Sequence, residues 1–86
     1  MTEPSAFIRA VAAEVKPGGS IRMSVLIKRL IRKGHGKHPA GVAMNVTKAM
    51  FKDEWLTGYV DNGGERIVML TSKGEDIECP TPNNTP

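Results

Sequence analysis

The hydrophobic period of this chain changes once, and that change limits what it can fold into. Up to Trp55, apolar residues recur every three or four positions. Beyond Thr57-Gly58 they form two short β-type runs on either side of a glycine-rich tip. Phe7, Ile8, Val11, Ala12 and Val15 lie on one face of a first helix, with Arg9 and Glu14 on the other side, Thr2 as its cap and Pro4 in its first turn. Pro17-Gly18-Gly19 stops that helix. Ser24 can cap a second helix running to about Lys33, whose buried face is Leu26, Ile27, Leu30 and Ile31, with Gly34 placed to end it in a left-handed conformation. Pro39 suits the first position of a third helix, after His38. Val42, Val46, Ala49 and Met50 give that helix an apolar stripe reaching about Trp55. Tyr59-Val60 and the run 65–70 then read as the strands of a β-hairpin, because Asn62-Gly63-Gly64 supplies the positive φ angles of a tight tip. Two strands alone are marginal in water, so Ser20-Ile21-Arg22 is expected to join them as a third. Thr71 or Ser72 can cap a last helical turn ending near Ile77.

The expected architecture is therefore α+β: a three-helix core closed by a small antiparallel sheet, in a single domain over 1–78. The 86-residue chain is too short for more than one such domain. Residues 79–86 hold three prolines and almost nothing to bury, which predicts a disordered tail.

Charge is strongly segregated. Between Val15 and Lys52 there is no acidic residue, whereas nine basic ones occur: Lys16, Arg22, Lys28, Arg29, Arg32, Lys33, Lys37, Lys48 and Lys52. The acids sit at the two ends, so a net charge of +3 hides a polarised molecule. Such a field draws a polyanion to one face and orients it there.

Several function classes find no support. The stretch 7–15 is interrupted by Arg9 and Glu14 and does not read as a signal peptide. No apolar run approaches the roughly 18–20 residues that span a bilayer. One cysteine, Cys79, allows no internal disulfide, which fits a reducing cytoplasm, and it reads as a free thiol beside proline. His35 and His38 have no neighbouring Cys, Asp or Glu to share a metal and read as turn and cap residues. Gly63-Gly64 is followed by a strand and not by a helix, so it does not cradle a phosphate. No Ser/His/Asp set or metal cluster is apparent, so neither catalysis nor a cofactor is expected. Met44 and Met50 read as packing residues, and Trp55 as the anchor between the third helix and the sheet.

The run Arg66-Ile67-Val68-Met69-Leu70-Thr71-Ser72-Lys73-Gly74 is similar to the wing strand and Leu-Thr-x-Lys-Gly exit of bacterial transcription regulators with the winged helix-turn-helix fold. Lys52-Asp53-Glu54-Trp55-Leu56-Thr57-Gly58-Tyr59 resembles the end of a recognition helix entering such a wing. The likeness covers roughly residues 5–77. It implies a three-helix core with a β-hairpin wing, and a third helix that enters the major groove of double-stranded DNA. On that reading His38, Asn45 and Lys48 are candidates to reach base edges. Lys28, Arg29, Arg32, Lys33, Lys37, Lys52 and Arg66 are candidates to hold phosphate. Lys28 with Arg32, and Arg29 with Lys33, form two adjacent i, i+4 rows that cannot all face one duplex. Two features depart from the pattern: a long, unusually basic second helix, and an acidic hairpin tip from Asp61 to Glu65.

The expected protein is a sequence-specific DNA binder of a bacterium, phage or plasmid. It would be a small transcriptional regulator or a replication or recombination accessory, cytoplasmic and nucleoid-associated. A module this small offers limited contact area, so a homodimer or a cooperative array on repeated half-sites is expected. The rivals are a protein–protein adaptor, motivated by the acidic tip, and a non-specific nucleic-acid or RNA binder. The absence of an aromatic row counts against a single-strand binder.

Overall fold

Seven elements follow one another among the described residues of the computed structural model: α1 (Ala6–Val15), β1 (Ser20–Arg22), α2 (Met23–Arg32), α3 (Pro39–Lys52), β2 (Leu56–Val60), β3 (Arg66–Leu70) and α4 (Ser72–Glu75). Residues 3–78 are described. The expected Thr2 cap, Cys79 and the tail 79–86 lie outside the described residues.

Ser5 caps α1, its hydroxyl accepting from the Ile8 amide at 3.2 Å. The cap therefore falls after Pro4, and the proline precedes the helix instead of entering its first turn. Ile8, Val11, Ala12 and Val15 are buried as the spacing predicts. Glu14, expected on the outer side, is buried as well, because α2 supplies two cations above it.

Strand β1 runs directly into α2. Arg22 pairs with Ile67 in the sheet and also occupies the cap position, with no side-chain cap bond. Ser24, the expected cap, lies inside the first turn, and its hydroxyl donates to Glu65 Oε1 at 3.4 Å. Leu26 and Leu30 are fully buried, while Ile27 and Ile31 pack at the edge of the core. The helix ends as expected at Gly34, whose φ is +86°. The Gly34 amide donates to Ile31 O at 3.0 Å and the His35 amide to Leu30 O at 2.8 Å, a paired closure that satisfies the last carbonyls.

Pro39 is the first residue of α3, after His38 in an extended conformation. The helix stops at Lys52, short of Trp55, because Asp53 takes the left-handed conformation at φ 55°. Trp55 then leads into β2 and packs against the core, its carbonyl accepting from the Thr71 amide at 3.0 Å. Strand β2 starts at Leu56, so Thr57-Gly58 lies within the strand and not before it. Gly58 is required there: a Cβ would collide with the Ile67 carbonyl oxygen and lie 2.6 Å from Met50 Cε.

The sheet order is β1-β3-β2, antiparallel throughout. Val68 of β3 pairs with Ile21 on one side and Gly58 on the other. The tip is closed by Asp61, whose Oδ1 accepts from the Gly63 and Glu65 amides, both at 2.9 Å. Thr71 caps α4, accepting from the Gly74 amide at 3.0 Å, and donates to Glu54 O at 2.6 Å. Lys73 pairs with Glu54 and stands 5.1 Å above the Trp55 ring. Lys16 donates to Ile77 O, tying α1 to the C-terminal segment. The largest fully buried side chains, Val11, Val15, Leu26, Leu30, Val46, Leu56 and Val68, come from both sides of the change in period and belong to one core.

Gly58→Ala is expected to destabilise the fold by about 1–3 kcal/mol, the usual range for forced overpacking. Gly63→Ala, where a Cβ would approach only Asp61 Oδ1 at 3.6 Å, should shift the urea midpoint far less. Equal midpoints for the two variants would show that the Gly58 approach is unimportant.

Candidate nucleic-acid interface

Helix α3 has one side against the body and the rest in solvent. Only Val42 and Val46 are buried, with Ala49 and Met50 half-buried beside them. At about 100° per residue, the opposite side carries Ala40, Met44, Lys48 and Phe51. Met44 is 57% exposed and Phe51 82% exposed. Met44 therefore does not pack, contrary to the sequence expectation, because its position falls about 180° from the midpoint of the buried pair. Met50 does pack, against Gly58.

The three candidate base readers are all exposed, but they do not share one line. Lys48 lies beside the outward ridge. Asn45 borders a crevice shared with Ala49, Lys52, Trp55 and the α1 residues Phe7 and Ile8. His38 is seven residues before Asn45 and so lies on the same flank of the helix. The His38 backbone occupies the cap position while its imidazole makes no cap bond. On the other flank Thr47, Met50 and Phe51 border a cleft with Thr57, Gly58 and Arg66.

The phosphate candidates divide into two groups. Arg29 Nη1 lies 3.5 Å from Glu14 Oε1, and Lys33 bonds Glu14 Oε2. That row of α2 leans on α1 and its charge is partly compensated. Lys28, Arg32, Lys37, Lys48, Lys52 and Arg66 are exposed and, among the described residues, have no carboxylate partner. Arg22, on β1, is a further exposed cation in the same position. The acidic tip is largely accounted for by structure. Asp61 closes the turn, and Glu65 accepts from Ser24.

The Lys33 ammonium bonded to Glu14 holds that carboxyl below its ordinary range. Burial acts in the opposite direction and is outweighed, with Arg29 adding to the lowering. Sequence reading missed this residue and the exposed Phe51. Both could have been found from angle alone, since Glu14 borders the α1 stripe at Val11 and Phe51 falls opposite the α3 stripe.

Among the described residues no group of three or more His, Cys, Asp or Glu could hold a metal, and no helix is long and apolar enough to cross a membrane. Comparison with protein-family models, with curated proteins and with solved structures gave no match.

Glu14 contributes stability that is fully present above the ordinary carboxylate value of 4.5 and is lost as pH falls through its lowered folded value. Glu14→Gln should cost about 1 kcal/mol at pH 7, a small figure because both cations are half-exposed to water. The gap between variant and parent should narrow as pH falls from 7 to below the ordinary carboxylate range, measured by urea unfolding. A constant gap across that range would remove the ion pairs as its source.

Proposed function

We propose that the protein is a winged helix-turn-helix module that binds double-stranded DNA sequence-specifically, with α3 as its recognition helix. The observation that carries this reading is the set of exposed cations on α2, α3 and the hairpin that have no carboxylate partner. Unpaired cations gain free energy by displacing counterions from a duplex, which presents about one negative charge per 1.7 Å of axis. The element order and the β1-β3-β2 sheet are compatible with that fold. The closed turn at Gly34 sets α3 on the body with most of its surface free.

In this reading Lys48 is the leading base contact. Lys37 and Lys52, at the two ends of α3, and the Lys28–Arg32 row hold phosphate. Asn45 and His38 belong to the flank facing the α1 crevice and reach a base only from its edge. Arg66 stands at the base of the wing, and the tip beyond it is occupied with its own closure. The protein would regulate transcription, or assist replication or recombination, by occupying a site on cytoplasmic, nucleoid DNA. It would act as a homodimer or cooperative array, and neither catalysis nor a cofactor is required. The adaptor reading is the alternative: Asp61 closes its own turn and Glu65 accepts from Ser24, but neither carboxylate has a cation partner among the described residues.

Duplex binding measured by fluorescence anisotropy should weaken steeply with salt, and selection from a random library should return one motif. Arg32→Ala should lower affinity for all duplexes alike and reduce the salt slope by about 1. Arg29→Ala, whose charge Glu14 already holds, should do less. Lys48→Ala should cost about 1–3 kcal/mol on the selected site and less on random duplex. Undetectable duplex affinity at low salt would overturn the proposal in favour of a protein partner.

A further inference from the structure

The outward ridge of α3 holds two features that its own fold does not explain. The first is glycine at position 41, in the first turn of α3, where alanine is the better helix former. A Cβ at Gly41 would meet nothing within 4 Å, and its φ is not positive. Among the described residues no contact requires a glycine there. The second is the exposure of Met44 and Phe51, at 57% and 82%. Gly41, Met44, Lys48 and Phe51 follow at helical spacing along one side, so a dent, an apolar side chain, a cation and a second apolar side chain stand in sequence. Lys52 and Arg66 flank the far end, both exposed and without a carboxylate partner among the described residues.

The charges decide what covers this ridge. A second copy packed ridge to ridge would bring Lys48 and Lys52 of both copies into one interface, like charges with no carboxylate to meet them. A duplex offers the complement: phosphates for the cations, and in the major groove the thymine 5-methyl as the apolar group of the base edges. We propose that this ridge reads thymine methyl groups, an inference that rests on the DNA-binding reading above. Gly41 lets a base-pair edge approach the helix backbone. Met44 covers the methyl of a thymine at that step, Lys48 donates to the guanine O6/N7 edge beside it, and Phe51 covers a second methyl further along the groove.

The test uses the duplex selected from the random library and the full chain. Each thymine is replaced in turn by deoxyuridine, which keeps base pairing and removes only the 5-methyl. At one or two positions the replacement should weaken binding about fourfold, the effect of uncovering one methyl. In Met44→Ala the difference between thymine and deoxyuridine should vanish at one of these positions and persist at the other. Gly41→Ala should raise Tm by several degrees, since alanine suits the helix better, yet lower affinity for the selected duplex by about tenfold through steric crowding. Because both substitutions lie on the exposed ridge, Tm separates a folding defect from a contact defect.

Deoxyuridine without effect at every position overturns the inference while salt-dependent duplex binding keeps the DNA reading. Selection without any preferred motif overturns it in the same way. Unchanged duplex affinity in both Met44→Ala and Gly41→Ala also overturns it and assigns the ridge to a protein partner. Loss of all duplex binding by the parent chain removes both readings together.

Discussion

Strand β3 holds the two halves of this chain together. All five of its residues pair with β2 from the second half, and Ile67, Val68 and Met69 also pair with β1 from the first, so neither half closes a core without it. Val68 is fully buried at the point where Ile21 and Gly58 meet it from either edge. A two-stranded hairpin is marginal in water, and the third strand makes the sheet a surface on which helices can rest. The placing of α3 follows from the same constraint. Asp53 turns the chain out of the helix, and the register of β2 on β3 then determines where that turn must lie.

Electrostatics adds a second layer that refines the charge pattern without reversing it. Glu14 is the last acid before the long acid-free interval, and it is buried under Arg29 and Lys33 of α2. That single carboxylate makes one basic row of α2 an internal strut between two helices. The other row, Lys28 and Arg32, keeps its charge for solvent or a ligand. The acids of the hairpin are committed in a similar way, Asp61 to the backbone of its own turn and Glu65 to Ser24. Composition counts these groups alike. Their hydrogen bonds separate those that hold the fold from those left in solvent.

Much of the fold was legible because its signals are local. The stripe Val42, Val46, Ala49 and Met50 marks α3, Pro39 marks its start, Gly34 ends α2, and Asn62-Gly63-Gly64 marks the hairpin tip. The misplaced boundaries have local causes too. The apolar side chain of Trp55 continues the stripe of α3, whereas Asp53 accepts a left-handed conformation that residue type alone does not announce. Ser24 looked like a cap because Ser favours caps, but β1 runs to Arg22 and leaves no room for a separate cap residue. For the candidate interface, the cations and Lys48 were readable, whereas the exposure of Met44 and Phe51 was not read from residue type, since both are ordinary core residues.

By itself the sequence determined the kinds of elements, their order and the polarity of charge along the chain, because these depend on periodicity, backbone permissiveness and residue counts. Tertiary structure alone decided which basic row α1 neutralises and that Asn45 faces a crevice shared with Phe7 and Ile8 of α1. The physical reason is that burial and ion pairing belong to pairs of surfaces. A helix face acquires its role only when the docking of its neighbours determines what it meets.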